Sequence, residues 1–469
     1  MTEHLWSGRF EAAPDPDAFD FGISFPFDRR LFEDDVIGSQ AWAEGLLACG
    51  ALTGEDAAAI QRGLAEILEQ GRRDPSWVTG ADEDVHSFVE RQLIARIGDA
   101  GRRLHTGRSR NEQVSVDLRL YLRRKIPTLQ IKLRELIAAF TDQAGRAGEA
   151  VMPSYTHLRR AMPVLVAHFL LSHAAALRRD HARLAAAATE ADALPLGSGA
   201  IAGTAYAIDV EKLASRLGFS RVVSNSIDAA ADRDFAATFV YACALTMVHL
   251  SRIAEDFILL TSEEFGFFDL ADRSATGSSM MPQKKNPDPL ELVRGKTGRA
   301  IGHLTGLLAT MKGLPAGYNK DLQEDKEAVF DSEETLAVSL VAARSVVSQL
   351  TLRADRTHLA ASGLLLATDV ADYLVSRGVP FREAHQIVGG IVRELIAKGQ
   401  GFDALTLDEW RKYSERFDHD IRAAVTPEAS VRARKTPQST APTSVRQALE
   451  ETRRWLEGEF KVQSSKFKQ

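Results

Sequence analysis

The segment 277–288 concentrates side chains that can move protons and hold anions, in the order Gly-Ser-Ser-Met-Met-Pro-Gln-Lys-Lys-Asn-Pro-Asp. Its glycine and two serines favour a tight turn with free backbone N–H groups, and Lys284, Lys285 and Asn286 add two cations and an amide. A mobile loop with these groups could remove a proton from carbon and stabilise the anion that results. On composition alone, a solvated linker between two helices is the simpler interpretation.

A second group of polar residues, 82–86, places three carboxylates and His86 within one short segment, and these could ligate a metal. No second histidine stands at helical spacing, so we interpret the segment as structural polar contacts and predict no metal site. The basic clusters 107–110 and 432–435 are short, lie in a chain of formal net charge −6, and carry no aromatic platform for bases. They do not indicate a nucleic-acid partner.

Helical periodicity dominates the middle of the chain and supplies the elements that must position these residues. Over 235–260 the apolar residues recur at intervals of three and four, which places them on one face of a long helix. We predict long helices over 114–145 (interrupted by Pro127), 163–193 (with Pro163 in the first turn), 229–265, 289–312 and 322–350. The uncharged stretch 235–251 contains polar residues such as His249, so we interpret it as a core helix and not as a membrane span.

These elements predict an all-α fold in three regions. We expect an N-terminal helical domain over 1–107, a central long-helix bundle over 108–359 that carries the loop 276–289, and a small helical domain over 360–469. With 45% hydrophobic and 26% charged residues, the chain can bury a large core. Two cysteines are too few for a disulfide framework and no secretory signal is visible, so we expect a cytoplasmic location.

Several segments, met in the same order, resemble the argininosuccinate lyase branch of the fumarase/aspartase superfamily. They are 7–10, 107–113, 155–161, 194–200, 277–288 and 318–327. The ending Gln-Lys-Lys-Asn-Pro-Asp of the loop is similar to this branch, whereas adenylosuccinate lyases and fumarases carry other residues there. Local departures occur at Trp42, at 87–89, at Ala205 and at Glu112, which stands where the family usually has Asp.

The resemblance implies a β-elimination that splits argininosuccinate into arginine and fumarate. A base removes the proton next to a carboxylate, and donors aimed at that carboxylate stabilise the dianion that forms. By the resemblance, Ser278 is the base, and Lys284 and Asn286 clamp the carboxylate. His157 is the general acid, or the group that orients a water for that role, and Glu291 holds its imidazole in one tautomer.

The resemblance also implies which residues bind the substrate. Arg110 with Asn111 would anchor the succinyl end, since a guanidinium fork can pair with a carboxylate through two hydrogen bonds. For Arg108, a structural salt bridge at the helix start is an equally good interpretation. Contacts to the amino-acid end and the carboxylates would come from Ser24, Thr156, Tyr318, Gln323 and Lys326.

Membership of this family would imply a homotetramer built on a central helical bundle, with active sites that draw on three chains and need no cofactor. Two alternatives stay open: another fumarate-releasing lyase, resembling adenylosuccinate lyase, and a structural protein resembling the δ-crystallins of the lens. Retention of Ser278, Lys284, Asn286 and His157 argues against a purely structural role. We expect neither a nucleic acid nor a membrane as partner.

Overall fold

α-Helices make up most of the structure, a computed structural model that describes residues 15–466 of the chain. In chain order the helices are α1 (Pro16–Gly22), α2 (Phe25–Asp28), α3 (Phe32–Ala48), α4 (Gly54–Arg73), α5 (Val85–Ile97), α6 (Asp99–Arg102), α7 (Arg110–Ala147), α8 (Val166–Ala191), α9 (Val210–Leu217), α10 (Ser226–Ala231), α11 (Asp234–Leu260), α12 (Asp288–Met311), α13 (Asp325–Val347), α14 (Ala354–Ala360), α15 (Ala367–Ser376), α16 (Phe381–Lys398), α17 (Leu407–Tyr413), α18 (Ile421–Ala424), α19 (Pro427–Arg432) and α20 (Pro442–Lys466). The all-α prediction is confirmed. The motif at 7–10 lies outside the described residues.

Strands in the described residues are short and form two-stranded antiparallel ribbons. They are β1 (Val151–Thr156), β2 (Arg159–Leu165), β3 (Phe268–Asp269), β4 (Thr276–Gly277), β5 (Lys285–Asn286) and β6 (Thr351–Leu352). β1 pairs with β2, β3 with β6, and β4 with β5. Two of these ribbons carry residues that the sequence predicts to be catalytic. His157 lies at the tip of β1–β2, and Ser278 lies in the loop that joins β4 to β5.

The predicted long helices are present as α7, α8, α11, α12 and α13, but two prolines act differently from the prediction. The sequence predicts an interruption at Pro127, yet α7 continues through it. Ile126 and Leu129 beside it are fully buried, and their packing offsets the hydrogen bond that proline cannot make. The prediction that Pro163 opens a helix is wrong, because it lies in β2 opposite Pro153. Both strands of this ribbon are edges, where a missing N–H is tolerated, and α8 begins after β2.

The helix predicted over 229–265 is divided in two. α10 ends before Asp232, whose side chain accepts a hydrogen bond from the N–H of Asp234 (2.8 Å) at the start of α11. Arg233 between them is fully buried against Asp325. α11 is the one straight helix of the described residues that is long and apolar enough to cross a membrane. Of its most apolar window, 61% is buried inside the protein, as in a core helix.

The chain divides into two compact units. Unit 1 comprises Met1–Gln130, Ala182–Ala244 and Arg299–Thr335, and unit 2 comprises Ile131–His181, Leu245–Gly298 and Leu336–Gln469. The core of unit 1 includes the buried Trp42 and Phe88, and that of unit 2 includes Phe140, Phe257 and, in its C-terminal part, Trp410. The three contiguous regions expected from the sequence stay a prediction.

Within unit 1, a buried carboxylate connects the start of α7 to the loop 194–203. Glu112 accepts hydrogen bonds from the N–H groups of Ser109 (3.1 Å), Gly197 (2.7 Å) and Gly199 (3.0 Å). Gly199 has a φ of +58°, and a Cβ there would lie 2.6 Å from the carbonyl oxygen of Gly203, so this turn requires glycine. Burial raises the pKa of Glu112, while the three donors favour its charged form. The departure at this position therefore has a defined structural role.

We expect Glu112→Gln to lower the free energy of unfolding by about 2 kcal/mol, because an amide group in place of one oxygen leaves a buried backbone N–H without an acceptor. Thermal unfolding followed by circular dichroism measures the loss. The matched control is Glu66→Gln on the exposed face of α4, which we expect to change stability by less than about 0.5 kcal/mol. Equal melting temperatures for the two variants would contradict the role assigned to Glu112.

Candidate active site

Unit 1 contains a cavity of about 890 Å³, within the range of about 300–1,000 Å³ that is usual for small-molecule sites. Part of its wall consists of residues that the sequence predicts to bind substrate: Ser24, Arg110, Tyr318, Gln323 and Lys326. The rest of the wall includes acidic and basic side chains from 81–94, around the start of α5. The cavity therefore brings together binding candidates from distant parts of the chain.

Ser24 is held by Asp28, one turn later in α2. Its hydroxyl donates to Asp28 Oδ2 (2.5 Å), and Asp28 Oδ1 accepts from the N–H of Val85 at the start of α5 (3.0 Å). Asp28 is 1% exposed, and burial raises its pKa to about 7, although both hydrogen bonds favour the charged form. These contacts fix the end of α2 against the start of α5 at the cavity wall.

Arg110 is the first residue of α7, and its guanidinium lies among polar partners at the cavity wall. Its Nε lies 3.4 Å from Asp84 Oδ2, and its Nη2 donates to Ser87 Oγ (3.4 Å). Asp84 also caps α5 by accepting from the N–H of Ser87 (2.7 Å). Arg108, by contrast, is buried and donates to Ser39 Oγ (3.1 Å), which favours the structural interpretation for that residue.

The segment 318–326 supplies the remaining wall residues predicted from the sequence. Lys326 is 2% exposed and its Nζ donates to Asp325 Oδ1 (3.0 Å). Gln323 Nε2 donates to the carbonyl of Gly22 (3.4 Å). Burial raises the pKa of Tyr318 to about 12, so its hydroxyl stays protonated and can donate a hydrogen bond to an anion.

Asn111 lies outside the cavity wall. Its Nδ2 donates to the carbonyl of Ala200 (3.3 Å), so Asn111 and its neighbour Glu112 both hold the loop 194–203. The structure thus gives Asn111 a contact within the protein, next to Arg110, which is predicted to bind substrate.

The acidic segment 82–86 does not converge on one point. Asp82 pairs with Arg91 (2.7 Å), and Glu83 pairs with Lys320 (3.4 Å). Both carboxylates therefore act in ion pairs at the cavity wall.

His86 instead belongs to a buried cluster that sequence reasoning missed. Its Nδ1 lies 2.9 Å from Asp35 Oδ1 and 3.2 Å from Asp117 Oδ2, and all three residues are at most 1% exposed. The donor atoms are close enough to hold a metal ion, but Gln113 Nε2 already donates to Asp35 Oδ1 (2.5 Å). Burial and the neighbouring Asp35 raise the pKa of Asp117 well above its usual range, so a proton on one carboxyl relieves their repulsion. Asp35 and Asp117 could have been predicted from the sequence, because each is a carboxylate on a helix face that is expected to be buried.

In unit 2, the loop between β4 and β5 directs backbone donors at Ser278. Ser278 Oγ accepts hydrogen bonds from the N–H groups of Met280 (3.2 Å) and Met281 (3.0 Å). Two N–H groups aimed at one oxygen stabilise negative charge on it. This arrangement is suited to a serine that must ionise.

The two lysines of the loop differ in their surroundings. Lys285 Nζ donates to the carbonyl of Leu270 and to Asp272 (2.8 Å), which ties β5 to the segment before β4. Lys284 is exposed, and its Nζ has no carboxylate partner within 4.0 Å among the described residues. Lys284 is therefore the lysine whose charge is available to a ligand, and Asn286 lies in β5 two residues further on.

Thr156 and His157 lie at the tip of the β1–β2 ribbon, which the sequence does not predict. Thr156 pairs with Arg159, so His157 (φ +54°) and Leu158 (φ +55°) form the two-residue turn. Positive φ at both positions defines a type I′ turn, which usually contains Asn and Gly. Strain of this kind, here combined with the exposed side chains of His157 and Leu158, is concentrated at functional sites.

The wall of the unit 1 cavity includes none of the catalytic residues predicted from the sequence. These residues and Thr156 all belong to unit 2: Ser278, His157, Glu291, Lys284, Asn286 and Thr156. Each is exposed or half-buried, and Glu291 lies in the first turn of α12. Their roles stay predictions at this point.

Comparisons with known proteins place the chain in a class. Two family models match it: Lyase over residues 8–302 and Argininosuccinate lyase C-terminal over residues 364–432. Among solved structures, a variant of EDDS lyase with bound fumarate is similar, with a TM-score of 0.84 and 27% identity over 97% of this chain and 93% of that one. The fold and these matches define a lyase of the fumarase/aspartase superfamily.

Curated relatives narrow the class. The argininosuccinate lyase of Moorella thermoacetica is 47% identical over 458 residues, which cover 97% of this chain and 98% of that protein. The argininosuccinate lyase of Thioalkalivibrio sulfidiphilus is 48% identical over 458 residues, covering 96% and 98%. The chain belongs to the argininosuccinate lyase family.

The contrast between the two lysines predicts a difference in loop mobility. We expect Lys285→Met to increase the rate at which proteinase K cleaves the loop 276–289, because the ties to Leu270 and Asp272 are lost. Lys284→Met is the matched control and should leave that rate within about twofold of the unmodified protein, since it removes no contact between described residues. Mass spectrometry of early fragments measures both rates, and equal acceleration by the two variants would contradict this distinction.

Proposed function

We propose that this protein catalyses the reversible β-elimination of argininosuccinate to L-arginine and fumarate, as a cytoplasmic enzyme of arginine biosynthesis that needs no cofactor. The observation that carries the proposal is the cavity wall, where Arg110 and Lys326 present cations beside the polar groups of Ser24, Tyr318 and Gln323. Argininosuccinate carries three carboxylates, so a wall of this chemistry fits it.

The chemical step needs a base for a weakly acidic proton. The proton leaves the methylene carbon of the succinyl group, the C–N bond on the next carbon breaks, and the guanidino nitrogen keeps the electron pair. In our proposal Ser278 takes the proton, and the N–H groups of Met280 and Met281 stabilise its alkoxide. Lys284 and Asn286 stabilise the second negative charge that develops on the neighbouring carboxylate.

Return of a proton to the leaving nitrogen completes the reaction. We assign this step to His157, acting directly or through a water that it orients, with Glu291 holding the imidazole in one tautomer. Arg110 and Asn111 would anchor the succinyl end. Thr156, beside His157, would join the contacts to the amino-acid end and the carboxylates. The strained turn that carries His157 supports a functional role, since its backbone favours Asn and Gly instead.

Release of fumarate from purified protein tests the proposed activity. Fumarate absorbs in the ultraviolet, so argininosuccinate and adenylosuccinate can be compared in the same assay. We expect release from argininosuccinate alone. Release from adenylosuccinate alone would favour the other superfamily lyase, and release from neither would favour a structural protein resembling the δ-crystallins.

Replacement of the proposed base should separate binding from chemistry. We expect Ser278→Ala to reduce kcat by at least about a thousandfold while the dissociation constant of argininosuccinate changes less than about fivefold, because the hydroxyl acts mainly in the transition state. Ser279→Ala is the matched control on the neighbouring serine and should keep most of the activity. Activity of Ser278→Ala above about a tenth of the unmodified level would remove Ser278 from the role of base.

We also propose a homotetramer in which several chains complete each site. Glycines at 295, 298, 302 and 306 repeat at the three- and four-residue spacing of one face of α12, and a Cβ added at any of them would meet nothing within 4 Å. Such a face lets another helix approach closely. Exposed apolar side chains support an interface, with Met280 85%, Leu158 77% and Leu292 62% exposed.

Mixing two inactive variants tests for shared sites. Take His157→Ala and Ser278→Ala, unfold them and refold them together in equal amounts. If the two residues reach a site from different chains, roughly a quarter of the sites regain both, and activity reappears in proportion. Light scattering measures the number of chains in the assembly. Native mass spectrometry measures how far the two variants have mixed. A mixed tetramer without activity would contradict the shared site.

A further inference from the structure

Gln113 lies behind Arg110 and outside the cavity wall. It follows Arg110 by three residues in α7, almost one helical turn, and is 3% exposed. Its Oε1 accepts a hydrogen bond from Nη1 of Arg110 (3.5 Å). The other partners of the guanidinium, Asp84 and Ser87, line the cavity, whereas Gln113 does not. In the described part of the chain, Gln113 is therefore the partner of Arg110 that a ligand in the cavity would not touch.

A buried carboxylate fixes the direction in which the amide of Gln113 faces. Its Nε2 donates to Asp35 Oδ1 (2.5 Å), and Asp35 is 1% exposed. The same carboxylate oxygen lies 2.9 Å from Nδ1 of His86. A carboxylate accepts hydrogen bonds, so the NH2 group of Gln113 faces Asp35 and its oxygen faces Arg110. An amide turned round would place oxygen against oxygen at Asp35 and donor against donor at Arg110.

The contacts of Arg110 orient its guanidinium without occupying it. All three are between 3.4 and 3.5 Å long, whereas Arg91 and Asp82 on the same wall pair at 2.7 Å. A guanidinium has five N–H groups, and one contact at each nitrogen leaves one N–H on each terminal nitrogen. A carboxylate bound by both terminal nitrogens uses two N–H groups. The donors that remain on Arg110 therefore match a carboxylate of a ligand.

We propose that Gln113 is a positioning residue for the reaction, which holds the guanidinium of Arg110 in the orientation that binds a carboxylate of the succinyl group. The inference rests on the proposed function, in which Arg110 anchors that end of the substrate. A long arginine side chain loses rotational freedom when a ligand binds, and a fixed partner behind it removes part of that loss in advance. The effect of Gln113 is confined to the succinyl end, because it acts through Arg110.

The reverse reaction tests the two ends of the substrate separately, because fumarate and L-arginine then bind as two molecules. Gln113→Leu removes both hydrogen bonds of the amide at a similar side-chain volume. We expect it to raise KM for fumarate at least about tenfold, and to change KM for L-arginine and kcat by less than about twofold. The ultraviolet absorbance of fumarate follows the reaction. A merely structural role would raise both KM values or lower kcat, and either result overturns the inference.

A double-mutant cycle tests whether Gln113 acts through Arg110. In an Arg110→Lys background, we expect Gln113→Leu to change KM for fumarate by less than about twofold, because an ammonium has no plane to orient. A further tenfold rise in that background overturns the inference. Ser115→Ala is the matched control, since Ser115 is fully buried in α7 and its hydroxyl has no hydrogen-bond partner among the described residues. A rise in KM for fumarate as large in this control also overturns the inference.

Binding of succinate, measured by calorimetry, tests the inference apart from turnover. Succinate represents the succinyl end alone, and Gln113→Leu should weaken its binding at least about tenfold. If Gln113→Leu does not fold, Gln113→Asn replaces it, because the shorter side chain cannot reach both Asp35 and Arg110. An unchanged affinity for succinate in a folded variant overturns the inference, while fumarate release from argininosuccinate by the unmodified protein still supports the proposed function. Absence of that release overturns the proposed function and the inference with it.

Discussion

Buried and half-buried carboxylates that accept backbone N–H groups fix the helix ends at the cavity wall and beside it. A charge removed from water is stable only where hydrogen bonds replace its hydration, and the N-terminus of a helix offers unpaired N–H groups together with a favourable dipole. Asp28 and Asp84 meet the start of α5 in this way, through Val85 and Ser87. Glu112 does the same at the start of α7, where Arg110 begins the helix. The acids that fix these helix ends thereby also set the charge that a ligand meets.

The residues predicted to bind substrate are more buried than those predicted to carry out the chemistry, and the difference fits the proposed roles. Ser24 and Lys326 are 4% and 2% exposed, as suits the role proposed for them in binding substrate carboxylates through preorganised contacts. Lys284, Glu291 and His157 are exposed in the single chain. A serine alkoxide and a carboxylate dianion require a site from which water is excluded. The exposure of these proposed catalytic groups therefore supports the proposed homotetramer, in which other chains complete the site.

Sequence reasoning predicted the helical class and the long helices, because apolar residues at intervals of three and four mark one face of a helix. It failed at Pro163 and at the β1–β2 ribbon, where pairing between strands overrides local propensity and a His-Leu turn carries none of the usual Asn-Gly signal. The binding candidates that line the cavity came from a family resemblance, and their roles stay predictions. Asp28, Asp35 and Asp117 were missed, because a single acid in an apolar stretch gains meaning only from its neighbours in space.

The strained turn and the glycine face of α12 lead to one conclusion about association. Positive φ at two residues with side chains costs about 1 kcal/mol or more each, and such strain persists only where surrounding contacts over-determine it. Within the single chain Leu158 is 77% exposed and contributes little packing to offset that cost. A helix face with open space at Gly298 and Gly302 is likewise unfavourable alone, since glycine weakens a helix without burying surface. Both features fit the proposed homotetramer, in which another chain would pack against them. In the proposed homotetramer, the elements that carry the proposed chemistry are thus the ones that a neighbouring chain would stabilise.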